Sequence, residues 1–398
     1  VQELNKKQLL LLLGAAFFIS SYDMTVLGLA LPDVQASFNI PEQELGQVIA
    51  AARLGALPAI FFAMLADRIG RRALLMFTLL ALSITTAVTG FARNVEEFVA
   101  IQFCARALAT AEEILTVVYV LEAFPARQRG WGVGMLMALG GVGAGAASLL
   151  YALVDVLPGG WRALYLAATL PVLYVAWLRR TLPESTLFEQ QSQRAAKQRW
   201  WQPLREILHK QRRDTLAIAL IALCFWFPLS PMLYFMSKYL QQTRGFAPQE
   251  VSLLYLVAGG LALLGNTLAG RLSDRIGRRP TLIAGVLFHC IASILFYNGS
   301  GWLLPVTWVA ALFSYFAVDV MVNAISGELF PTASRSTAST LRSLCSTLAA
   351  VAGLAVEGIL YAKLGSHSAA ISVMCLSSLL TIPVVVLMLR ETSATQLS

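Results

Sequence analysis

Long apolar runs separated by short charged punctuation make up most of the chain. The runs fall at residues 9–30, 44–66, 73–92, 97–121, 131–154, 162–180, 215–238, 250–271, 280–298, 302–327, 338–361 and 368–389. A helix rises about 1.5 Å per residue, so crossing a hydrocarbon layer about 30 Å thick takes roughly 20 residues. Each run meets that length. The ten-residue alternation of a membrane β-barrel strand is absent, and a helix satisfies its own backbone hydrogen bonds in lipid. The pattern therefore predicts an all-α membrane protein with twelve spans. One stretch departs from it. "FEQQSQRAAKQRWWQPLREILHKQRRD" is polar, basic and helix-compatible, and its Trp200 and Trp201 suit a headgroup interface. It divides the chain into a six-helix bundle over 1–180, a linker over 181–214 and a second six-helix bundle over 215–398.

Composition agrees. Hydrophobic residues make up 57% of the chain and charged residues 13%, with a mean hydropathy of +0.68. An average soluble protein is roughly 25% charged. The net charge of +8 does not point to nucleic acid, because the cations sit in short clusters between apolar runs. They sort by side. Arg68, Arg71 and Arg72 follow span 2, Arg127 and Arg129 follow span 4, and Arg275, Arg278 and Arg279 follow span 8. The linker adds Arg194, Lys197, Arg199, Arg205, Lys210, Arg212 and Arg213. The alternate loops are poor in Lys and Arg. The positive-inside rule then puts both termini in the cytoplasm of a plasma or bacterial inner membrane. The five cysteines all fall in apolar runs and read as small buried hydrophobes, without a disulfide or metal pattern. No cofactor is expected, and no nucleophilic, metal-ligand or phosphate-loop constellation supports an enzyme.

"LADRIGRR" at 65–72 returns as "LSDRIGRR" at 272–279, 207 positions later. Both copies lie between the second and third spans of their halves, so the chain is an internal repeat of a six-helix unit. Each copy sets an Asp beside a turning glycine (Gly70 or Gly277) and a run of arginines, so the carboxylate can pair with a cation. These residues resemble the signature loop of the major facilitator superfamily. "GRLSDRIGRR" fits it from Gly270, while the first copy has Ala63 where the family has Gly. "EAFPARQRG" (Glu122–Gly130), "ELFPTASRS" (Glu328–Ser336) and "LPES" (Leu182–Ser185) resemble the family's segments after spans 4, 10 and 6. "YDMTVLGLALP" (Tyr22–Pro32) is similar to the first span of aromatic-acid:proton symporters through Asp23, Gly28 and Pro32, with Ser20 and Ser21 in place of Asp-Gly. Gly132, Gly141 and Gly145 hold the spacing of a drug-antiporter motif in span 5, but Ala146 stands where that motif has Pro. Close helix packing is the better reading of those glycines.

Ionisable residues inside the membrane are costly and need partners or a wet cavity. Asp23 lies in span 1, and Arg106, Glu112 and Glu113 lie in span 4. Tyr315, Asp319 and Asn323 form an i, i+4, i+8 stripe on span 10. The resemblance implies that spans 1, 4, 7 and 10 line a central cavity, which would gather these residues into a substrate and proton site. Buried ion pairs that merely tie helices together are the alternative. The cytoplasmic gate is expected to be two charge clusters. Asp67, Arg68, Arg72, Glu122, Arg129 and Glu184 form the first, and Asp274, Arg275, Arg279, Glu328 and Arg335 the second. A periplasmic gate would pair Arg53 with Glu357, unless each pairs within its own half. His289 reads as packing.

The resemblance implies a monomeric secondary transporter working by alternating access, with a small-molecule substrate, protons as coupling ion and the lipid bilayer as solvent. Proton-coupled uptake of a small organic ion, such as a carboxylate, is the leading expectation. Proton-coupled efflux of amphipathic or cationic compounds and a non-transporting membrane receptor are its rivals.

Overall fold

The structure is a computed structural model, and it describes residues 6–59, 61–62, 65, 71–124, 128–178, 209–330 and 335–391. Among these residues the regular secondary structure is helical. The helices are α1 Lys6–Leu29, α2 Leu31–Phe38, α3 Glu42–Arg53, α4 Arg71–Thr89, α5 Val95–Ala123, α6 Arg129–Tyr151 and α7 Trp161–Leu178. After the linker come α8 Arg212–Tyr234, α9 Pro248–Ile276, α10 Arg278–Asn298, α11 Leu303–Leu329, α12 Arg335–Leu364, α13 His367–Ser377 and α14 Thr381–Met388. Among the described residues nine helices are long and apolar enough to cross a membrane. α5 fails that test because Arg106, Glu112 and Glu113 crowd its middle.

Two expected spans are interrupted, each just before a proline. Span 2 turns into a 3-10 helix at Leu54–Ala56, and Pro58 follows. Span 12 divides into α13 and α14 around a 3-10 turn at Ser378–Leu380, and Pro383 follows. In both, the proline ring would clash with the carbonyl four residues back, so the turn tightens. Span 7 keeps Pro228 and Pro231 inside α8 and ends later, through Met236–Lys238 and a π-turn at Tyr239–Thr243.

The chain forms two compact units. The first comprises Val1–Ile40, Ala51–Gln198 and Ala247–Leu253, and the second Pro41–Ala50, Arg199–Phe246 and Leu254–Ser398. These boundaries differ from the expected division at the linker, because two short helix tips belong to the opposite unit. Within the first unit α1 packs chiefly on α6, and α4 on α5 and α7. Within the second α8 packs chiefly on α12, and α10 on α11.

The repeat is visible in the packing itself. In α6, Gly143 faces the backbone carbonyl of Phe18 so closely that a Cβ would collide with it. In α12, Gly353 faces the carbonyl of Phe227 in the same way. Small residues let membrane helices approach this closely. The expected role of the span 5 glycines in packing holds at Gly132, where a Cβ would press on Val120, and is shared by Gly140 and Gly143. Gly141 has nothing within 4 Å. The cysteine reading holds for Cys290 and Cys375, which are buried. Cys104 is exposed, since its side of α5 does not face the unit's core, and Cys224 and Cys345 are half-buried.

Candidate functional site

The first unit carries a charge constellation on α1 and α5. Asp23 is buried, and its polar neighbours are Gln102 and Arg106, one helical turn apart on α5. Its Oδ1 has no hydrogen-bond partner, and neither do the buried Arg106 Nε and Thr110 Oγ1. Buried polar atoms are rarely left so in folded proteins, and exceptions mark sites that exchange protons or bind ligands. The two adjacent glutamates of α5 diverge, as the 100° helical step requires. Ser20 of α1 donates to Glu113. Thr78 of α4 donates to Glu112, which is fully buried. Glu112 therefore faces α4 while Asp23 faces Arg106.

Removing that hydroxyl has a measurable cost. Thr78→Val is expected to destabilise the purified protein by roughly 1–3 kcal/mol, because it takes a donor away from a buried carboxyl. Thr78→Ser should hold the wild-type melting temperature.

The second unit carries a constellation on α8, α11 and α12. Asn323 Nδ2 donates to Asp319 Oδ2 at 3.0 Å and to the Asp319 carbonyl at 2.8 Å. The cation facing Asp319 is Arg342 of α12. The Arg342 guanidinium lies 6.0 Å from the ring centroid of Trp226, with its Nε buried and unpartnered. Arg342 escaped the sequence reading because it sits in a small-residue, Ser-rich run that reads as a helix start. Tyr315 is on the same helix and packs edge-on to Phe316 at 5.1 Å. His289 is buried against Phe225, 5.1 Å between centroids, and its Nδ1 lies 3.1 Å from the Ala311 carbonyl.

Of the residues expected at the cytoplasmic gate, several cannot be placed. Asp67, Arg68 and Glu184 lie outside the described residues, as do the side chains of Glu122, Arg129 and Arg335. Arg72 is described and exposed. In the second unit Arg278, not Arg275 or Arg279, holds the ion pairs. Its guanidinium lies 2.7 Å from Asp274 and 2.9 Å from Glu328. The reason is local. Gly277 takes φ 105°, a left-handed value that favours glycine, and so turns Arg278 back over Asp274. Arg279 instead donates to the Val386 carbonyl at 2.8 Å. Glu391 completes the cluster, accepting from the backbone N–H of Arg278 at 2.7 Å and of Arg279 at 3.1 Å. A carboxylate there satisfies the orphan donors of the α10 N-terminus. The repeat offered a signal for it, since Glu391 follows Glu184 by the same offset that separates the two DRIGRR copies.

Glu357 is fully buried in the second unit, and its Oε1 lies 2.5 Å from His367 Nδ1. That histidine is a partner that the sequence did not single out. Arg53 is half-buried at the end of α3 in the first unit.

A family model described as Major Facilitator Superfamily matches residues 13–265 and 218–397. Among curated relatives, a provisionally named niacin/nicotinamide transporter of Bacillus subtilis (strain 168) is 26% identical over 402 residues. The match covers 100% of this chain and 99% of that protein. The cis,cis-muconate transport protein of Acinetobacter baylyi is 27% identical over 333 residues, 81% of this chain and 80% of its own. The fold is similar to that of a D-xylose-proton symporter, with a TM-score of 0.82 at 18% identity over 98% of this chain and 99% of the other.

Proposed function

We propose, from the premise that this chain belongs to the Major Facilitator Superfamily, that it takes up small organic anions by alternating access, each anion accompanied by a proton. The chain is an integral membrane protein of a transporter family. The observation that carries the finer reading is a guanidinium facing a carboxyl in each unit. Arg106 faces Asp23 in one unit, and Arg342 faces Asp319 in the other. Each guanidinium has a buried donor to spare at Nε. A planar fork with unspent donors suits a carboxylate, and an adjacent acid suits a proton. Named relatives that carry nicotinate-like and muconate-like molecules support the same substrate class. Asp23 is the proton carrier in this reading. The second-unit cluster of Asp274, Arg278, Glu328 and Glu391 is a cytoplasmic gate, and both termini are cytoplasmic.

The test is flux in proteoliposomes of the full chain. Nicotinate, cis,cis-muconate and a cationic dye are offered with and without an inside-alkaline pH gradient. Accumulation of an organic acid that a protonophore abolishes is the expected result. Proton-driven movement of the dye alone would replace uptake with efflux as the function.

A further inference from the structure

His367 joins residues far apart in sequence within the second unit. Its Nδ1 lies 2.5 Å from Glu357 Oε1 of α12, and its Nε2 lies 2.7 Å from Glu42 Oε2 of α3. Lys238 Nζ lies 3.0 Å from Glu42 and 2.5 Å from Gln242 Oε1. The imidazole is held between two aromatic rings, Tyr361 at 4.2 Å and Phe235 at 4.7 Å between centroids. Among the described residues, Tyr361 and Tyr297 are further titratable groups that feel these carboxylates. The Tyr297 hydroxyl is occupied by the Met232 carbonyl at 2.6 Å.

The proton count decides what this geometry means. A neutral imidazole has one N–H and one lone pair. With both glutamates ionised, one of the two short contacts would set a nitrogen lone pair against a carboxylate oxygen. One added proton, on the second ring nitrogen or on a carboxyl, makes both contacts attractive. Charge gives the same answer. Within these four residues Lys238 balances one of the two carboxylates, and Glu357 is fully buried with Oε2 unpartnered. An added proton makes the four-residue cluster neutral.

The cluster also fastens a helix tip. At Gly46 a Cβ would meet the Leu354 carbonyl, and at Gly358 it would meet the Gln43 carbonyl, so α3 and α12 touch backbone to backbone beside the carboxylates. We propose that Glu42, His367 and Glu357 form a proton-binding site, separate from Asp23, whose occupancy locks Pro41–Ala50 onto α12. Loss of the proton leaves a buried negative charge and an opposed lone pair, and the tip undocks. This goes beyond the transport reading, and its test measures no flux, so the two can fail separately.

The chain contains three histidines, His209, His289 and His367. Full-length protein labelled with ¹⁵N-histidine therefore gives three imidazole signals in lipid nanodiscs, and His367→Gln identifies the relevant one. Spin labels at the exposed Gln47 and Lys363, in a background with the native cysteines replaced, report docking by short-range EPR. The expected result is a His367 ring signal that changes with pH. The pH of that change should coincide with the lengthening of the label distance. Glu357→Gln should keep the tip docked at pH values where the wild-type distance lengthens, because the cluster is then neutral without an added proton. Glu42→Gln should act in the same way and serves if the first variant folds poorly. A ring signal that changes with pH while the distance does not, or a distance that lengthens in both variants as in wild type, overturns the proposal.

Discussion

Asp23→Asn protein is expected to bind its organic anion within a few fold of wild type and to show no accumulation driven by a pH gradient. Asparagine keeps the shape of the carboxyl in its neutral form but cannot release a proton. Burial favours the neutral form of a carboxyl and a nearby cation favours the charged form, so a group exposed to both can exchange its proton as its surroundings change. Asp23 has both influences, since it is buried and faces Arg106. The same variant leaves Arg106 without that counter-charge, and breaking a buried pair on one side costs about 3–5 kcal/mol. Melting temperature must therefore be read on the preparation used for flux. A variant that melts far below wild type and binds nothing would mark Asp23 as a helix tie. A folded variant with full pH-driven accumulation would remove Asp23 from coupling and leave Glu112, Glu113 and Asp319 as candidates.

Gly353→Leu is expected to lower stability more than any substitution on an exposed face. Overpacking typically costs about 1–3 kcal/mol, and here the obstacle is the Phe227 backbone carbonyl, which cannot rotate away. α8 and α12 would have to separate along the most extensive packing of their unit. Gly143→Leu should act in the same way on α1 and α6, through Phe18. Gly141→Leu is the control. It lies two residues from Gly143 on the same helix, with nothing within 4 Å, and should melt with wild type in detergent. Equal melting of all three variants would show that the glycine crossings contribute little to either unit.

The spans were legible because lipid imposes one length and one composition on any helix that crosses it. The breaks before Pro58 and Pro383 were legible in principle, but apolar run length masked them. Asp274 and Glu328, both named from the sequence, lie against one guanidinium. The arginine joining them was misassigned because a left-handed turn at Gly277 sets the direction of Arg278. Glu391 carried a signal only by comparison of the two repeats. His367 carried none, since its partners are Glu357 on the preceding helix and Glu42 in the opposite half of the sequence. Pairings at that separation follow from tertiary packing, and neither spacing nor periodicity encodes them.

The membership of Pro41–Ala50 in the second unit constrains the order in which the protein can be made. Synthesis proceeds from the N-terminus, and early segments ordinarily fold first. The tip of α3 leaves the ribosome long before α12 and α13 exist. Until then Glu42 lacks His367, and Gly46 has no α12 to lie against. The early half must wait at the membrane with an acidic, incompletely packed helix end. That interval is when a nascent chain would be most exposed to quality-control proteases, and it ends only when the final two spans arrive.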